Sequence, residues 1–143
     1  MRKRVVLALA VGLLLAADEP KKDKTDRDKL QGTWQPVSVE QGGKAKEDKE
    51  HRLLFDGDTF TIKKGDQVFA KGTFKVDPDK KPKAIDFMIT EGDEKGKTAR
   101  GIYKLEGDKL TWCSAQPGQN DRPKEFATKD TQNLLVVLQR AKS

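Results

Sequence analysis

The chain has 143 residues, enough for one domain once an export signal is set aside. Hydrophobic residues make up 34% of it and charged residues 36%, which excludes an integral membrane protein beyond the first residues. The single cysteine, Cys113, excludes a disulfide scaffold, and the single histidine, His51, excludes His-rich metal sites and ties any Ser/His/Asp triad to itself.

Residues 1–17 read as a signal peptide. Arg2, Lys3 and Arg4 precede an uncharged apolar run from Val5 to Ala17, which ends abruptly at Asp18-Glu19-Pro20. The run is shorter than the ~20 residues a membrane-spanning helix needs, so no membrane span is expected in the mature chain. Cleavage is expected near Ala16 or Ala17, with an uncleaved N-terminal anchor as the competing reading. The three cations of this segment carry half of the net charge of +6. The remaining lysines alternate with Asp and Glu, as in Lys44-Ala45-Lys46-Glu47-Asp48-Lys49-Glu50, the pattern of a solvated face and not of a nucleic-acid site. Residues 18–29 are nearly all charged and lack a large apolar side chain, so they read as a disordered leader. The folded domain is expected over 30–143.

From Leu30 onward the pattern is short apolar/polar alternation punctuated by Gly, Asp and Pro, the signature of strands. Gly32 to Glu40 is the first, with Trp34, Val37 and Val39; the apolar phase slips near Pro36, which predicts a bulge. His51 to Phe55 is the second, followed by the Asp56-Gly57-Asp58 turn. Thr59 to Lys64 places Phe60 and Ile62 on one face. Gln67 to Val76 places Val68, Ala70, Gly72, Phe74 and Val76 together. After the Asp77–Pro82 turn, Ala84 to Glu91 turns Ile85, Phe87 and Ile89 inward. Lys97 to Leu105 offers Ala99, Gly101, Tyr103 and Leu105, and the seventh strand carries Leu110 and Trp112. A long polar connection, 115–130, leads to a last strand within Asn133 to Arg140. No stretch of ten residues shows helical periodicity. Eight strands joined mostly by short turns predict an all-β protein, an eight-stranded antiparallel up-and-down β-barrel, because closure buries the apolar face and removes both edges.

The segment Leu30-Gln31-Gly32-Thr33-Trp34 resembles the Gly-x-Trp opening of lipocalins and the wider calycins. Further segments are similar to a lipocalin-like family of uncharacterised exported proteins found mainly in planctomycete bacteria. They include Phe55–Phe60, Lys80–Asp86, Gly101-Ile102-Tyr103, Leu110–Cys113, Arg122–Phe126 and Leu134–Arg140, in order along nearly the whole mature chain. The resemblance implies a calycin-type barrel and carries over no activity. It also implies one structural pair: Trp34 beneath the guanidinium of Arg140, sealing one barrel end.

Candidate functional residues follow from this frame. Phe60, Ile62, Phe74, Phe87, Tyr103 and Trp112 either line an interior site or fill it; the small inward residues Gly72, Ala99 and Gly101 favour a cavity. In the 115–130 connection, Arg122 and Glu125 sit at ion-pair spacing and Phe126 is placed to plug the barrel mouth. Cys113 reads as a small buried hydrophobe and His51 as a surface residue without a nucleophile. The Asp-Gly-Asp and Asp-Pro-Asp triplets read as turns, since no calcium-loop spacing surrounds them. No catalytic residue, metal or cofactor is expected. The expectation is an exported, periplasmic or secreted, non-enzymatic barrel that binds a small apolar or amphipathic ligand. The alternative is a protein–protein interaction module using the 115–130 loop.

Overall fold

The computed structural model describes residues 25–141. The expected signal at 1–17 and residues 18–24 of the expected leader lie outside that range. The rest of the leader is folded, which corrects the expected boundary at Leu30: helix α1 spans Asp26–Leu30. Thr25 caps it by accepting from the Asp28 amide at 3.2 Å, while the Asp28 carboxylate accepts from the Thr25 amide at 3.4 Å. A five-residue helix is unstable alone, so tertiary contacts must hold it. Its one buried residue, Leu30, is fully enclosed.

The strands are β1 (Gly32–Gln41), β2 (Lys44–Glu47), β3 (His51–Asp56), β4 (Thr59–Lys64), β5 (Gln67–Asp77), β6 (Ala84–Gly92), β7 (Thr98–Glu106), β8 (Lys109–Ser114) and β9 (Leu134–Arg140). All but β2 form a closed eight-stranded antiparallel barrel, in which β9 pairs with both β8 and β1. The sequence pattern predicted this architecture. Strand β2 is an addition: every residue in it is exposed, so no burial alternation marks it. Gly42 and Gly43, at φ 58° and 79°, supply the positive-φ turn that folds it back on β1. No helix among the described residues is long and apolar enough to cross a membrane.

Strand β1 bends as expected near Pro36. Leu138 pairs with Pro36 and Val137 with Ser38, so Val37 is the extra residue. The bulge turns Val37 outward, where it is 45% exposed. Beyond Trp34, β1 separates from β3 and pairs with β2 instead. The Gln35 side-chain amide bridges the gap, donating to Pro36 O, Asp48 O and His51 O at 3.1–3.4 Å.

One end of the barrel is closed by α1. Trp34 is fully buried and donates its indole N–H to Leu30 O at 2.8 Å. The Arg140 guanidinium lies 4.4 Å from the Trp34 ring centroid, as the resemblance implied. Two of its nitrogens also donate to Lys29 O and Gln31 O, at 2.7 and 2.9 Å. The last strand therefore caps the free carbonyls of the helix and the indole with one planar group.

Candidate functional site

The other end of the barrel is open. Its rim comprises the β1–β2, β4–β5 and β6–β7 turns and the connection after β8. Inside it lies a cavity of about 280 Å³. Alternation along four strands supplies the walls: Phe60 and Ile62 from β4, Ala70 from β5, Phe87 and Ile89 from β6, and Ala99 from β7. Trp112 and Leu134 complete the apolar surface. Gln41, Ser114 and Gln116 add polar groups, and Asp93 and Glu94 add charge at the rim. The aromatic walls hold one another in place. The Phe87 ring centroid is 4.9 Å from Phe60, edge to face, and 4.7 Å from Trp112, tilted. The Trp112 indole N–H is buried and has no acceptor among the described residues.

Four of the six expected lining residues, Phe60, Ile62, Phe87 and Trp112, meet in this cavity. Phe74 and Tyr103 do not. Phe74 packs 4.6 Å from Phe55, deeper in the core. The Tyr103 hydroxyl donates to Asp26 Oδ2 at 2.6 Å, which pins the start of α1; Lys83 Nζ lies 2.9 Å from the same oxygen. Inward orientation selects these two residues, but position along the barrel axis separates them from the site. The helix that claims Tyr103 was hidden in an apparently structureless charged segment.

Phe69 was missed. A register shift in the β4–β5 ladder makes it an extra residue, since Ile62 pairs with Ala70 and Lys63 with Val68. The bulge re-aims it to the cavity rim, where it is 57% exposed. It also reverses the expected phase at Val68, which is 51% exposed rather than inward. Phe69 and His51 meet in a T-shaped arrangement, with ring centroids 5.5 Å apart. His51 is thus half-buried and not a free surface residue; its Nδ1 is 2.7 Å from Asp48 Oδ2. Burial pushes the Asp48 carboxyl up, but amide hydrogen bonds from His51 and Glu50 and the imidazole outweigh it, so the group sits below its ordinary value.

Two of the three small residues expected to create space do something else. A Cβ on Gly72 would collide with the Met88 carbonyl, and one on Gly101 would lie 2.7 Å from Cys113 O. These glycines permit close approach of neighbouring strands; Ala99 alone of the three lines the cavity.

Beyond Ala115, Gln116 and Pro117, which line the cavity, the connection to β9 packs on the outer wall. It covers Cys113, which is fully buried with Sγ 3.8 Å from Ala127 O. Burial raises the thiol above its usual range, as befits an inert packing residue. Arg122 pairs with Asp86, Nη1 to Oδ1 2.7 Å, and not with Glu125. The same Nη1 reaches Gly101 O at 2.8 Å and Ile85 O at 3.3 Å, so Arg122 ties the loop to β6 and β7. Phe126 does not plug the mouth; it lies below Lys104, whose Nζ is 5.4 Å from its ring centroid. Thr128, fully buried, donates to Glu40 Oε2 at 2.6 Å and accepts from the Gly43 amide. Loop residues thus anchor to the wall, and the exposed large apolar side chains among the described residues are Val37, Val68 and Phe69.

Tyr103 is the only tyrosine, so its ionisation can be followed directly. Burial first, then the hydrogen bond to Asp26, raises its pKa far above the ordinary 10.0. The unfolded chain releases this proton near pH 10 while the folded one retains it, so stability falls as pH rises beyond that point. Phenolate absorbance is expected to remain absent at pH 10–11 and to appear only together with loss of the barrel's circular dichroism. A simple titration near pH 10 in the folded protein would mean that the hydroxyl is solvated.

Among the described residues, no group of three or more His, Cys, Asp or Glu side chains is placed to hold a metal ion. In comparisons with known proteins, no family model, curated protein or solved structure matches the chain.

Proposed function

We propose that the protein is an exported, non-enzymatic lipocalin-like barrel that binds a small apolar or amphipathic molecule in its open end. The observation that carries this reading is the cavity of about 280 Å³ walled by Phe60, Ile62, Phe87, Ile89 and Trp112. Barrels of this strand number either fill their interior with side chains or hold one small ligand. Here the half nearest α1 is filled and the half nearest the mouth is not. A concave apolar space with a few polar groups at its edge is the usual form of a small-molecule site, and this one is at the small end of the range. The signal-like residues 1–17 support export.

The test is fluorescence titration with the neutral dye N-phenyl-1-naphthylamine. Saturable enhancement is expected, with a dissociation constant on the order of micromolar, given the limited area such a cavity encloses. Ala99→Phe, which fills the cavity from β7, is expected to weaken binding by at least about tenfold, equivalent to ~1.4 kcal/mol. A thermal melt of the variant separates blocked binding from lost folding. Absence of saturable binding to the wild-type barrel would overturn the reading.

A further inference from the structure

The charges around the cavity do not follow the charges of the chain. Lys and Arg number 29 against 23 Asp and Glu, yet the two charged residues lining the cavity, Asp93 and Glu94, are both acidic. Lys97 compensates Glu94, Nζ to Oε2 2.8 Å. Lys64, on the neighbouring hairpin, is turned toward Glu50 at 3.9 Å. Asp93 has no ion-pair partner among the described residues, so the cavity lining retains one uncompensated carboxylate, while Lys44 and Lys95 of the rim turns do not line the cavity.

An exposed aromatic ring stands at the same rim. Ala70 pairs with Gly92, and a Cβ on Gly92 would lie 2.7 Å from Phe69 O. The backbone that carries Phe69 is thus in contact with the residue immediately before Asp93. The β5 bulge leaves Phe69 57% exposed there, where packing of the core does not require it. An aromatic face and a carboxylate at the edge of an aromatic-walled cavity together favour a cation, through the ring quadrupole and Coulomb attraction.

We propose that the ligand is a cationic amphiphile, an alkyl or aryl-alkyl ammonium compound. Its apolar body enters between Phe60, Phe87 and Trp112, and its ammonium group remains at the rim beside Phe69 and Asp93. The inference rests on the binding reading above and adds to it a sign of charge. A carboxylate with the same chain is disfavoured because its head would face the rim acids with no lysine or arginine lining the cavity to meet it.

The experiment compares decyltrimethylammonium, decanol and decanoate as displacers of the bound neutral dye, at low salt and neutral pH. Decyltrimethylammonium is expected to bind about tenfold more tightly than decanoate, with decanol between them, and the preference should shrink in 0.5 M salt. Asp93→Asn with Glu94→Gln should bring the three affinities within about threefold of each other, and Phe69→Ala should weaken the ammonium compound more than decanol. Both replacements are at the exposed or half-buried rim, so the melting temperature should barely change. Equal or tighter binding of decanoate, or a preference that survives loss of both carboxylates, would overturn the charge assignment while leaving the cavity reading intact. Failure of the dye and all three displacers to bind would overturn both.

Discussion

Trp34→Ala is expected to destabilise the protein by about 3–5 kcal/mol, the range for removing a large aromatic side chain from a packed core. Trp34 is fully buried and joins β1, which carries it, to the helix and the last strand at the closed barrel end. Its indole N–H satisfies Leu30 O at the end of α1, and its face receives Arg140 from the last strand. Alanine would leave a cavity, an unpartnered carbonyl and a guanidinium with one side unsupported. Arg140→Lys is a milder probe of the same junction. An ammonium keeps the charge but cannot span the ring and both backbone carbonyls, so a loss of about 1–2 kcal/mol is expected. Urea unfolding monitored by circular dichroism measures both. A Trp34→Ala protein within 1 kcal/mol of wild type would show that the helix and last strand do not depend on this ring. Dye affinity of the folded fraction should be unchanged in either variant, because neither residue lines the cavity. The Trp34 junction lies at the closed end of the barrel and the proposed binding cavity at the open one.

That division explains which features were legible in the sequence. Inward orientation is written in a period of two, and Phe60, Ile62, Phe87 and Trp112 could be read from it. Trp34 and Arg140 could be paired because a resemblance supplied what spacing alone does not, the register between the first and last strands. Axial depth has no sequence signal: Phe74 and Phe60 alternate identically, but one packs on Phe55 and the other borders the cavity. Bulges carry a signal only when proline or glycine marks them. Pro36 announced the break in β1, whereas the break at Phe69 lies inside the run Val68-Phe69-Ala70, where either phase looks apolar. The short α1 and the exposed β2 were invisible for a different reason. Both consist mainly of charged residues, so no apolar alternation marks them; α1 is held by Tyr103 and Arg140, far along the chain, and β2 by the adjoining bent half of β1. Arg122 likewise pairs far along the chain, since Asp86 lies across the fold while Glu125 is merely close in sequence.

Gly72→Ala is expected to be nearly as damaging as the loss of Trp34, about 3 kcal/mol or more, although it adds a single methyl group. Gly72 lies in β5 between Phe60 on one side and Ile89 on the other, at a second register shift in the β5–β6 ladder. A Cβ there would overlap the Met88 carbonyl oxygen, approach the Met88 carbonyl carbon to 2.9 Å and come within 3.0 Å of the Phe60 ring. The ring can tilt, but the carbonyl belongs to the neighbouring strand and moves only if the β5–β6 pairing opens. The strain is therefore one of packing and not of backbone conformation. Gly57 provides the contrast, with φ at 61° and open space around its Cβ position. Gly57→Ala should cost only the left-handed penalty of about 1–2 kcal/mol. The two variants should also differ in kind: Gly72→Ala displaces Phe60, a cavity wall, so surviving folded protein should bind the neutral dye more weakly, while Gly57→Ala should bind it normally. Equal stability losses, or unimpaired binding by Gly72→Ala, would mean that β5 and β6 can separate without disturbing the open end. The close approach that only glycine permits would then be a feature of the closed barrel but not a requirement for its pocket.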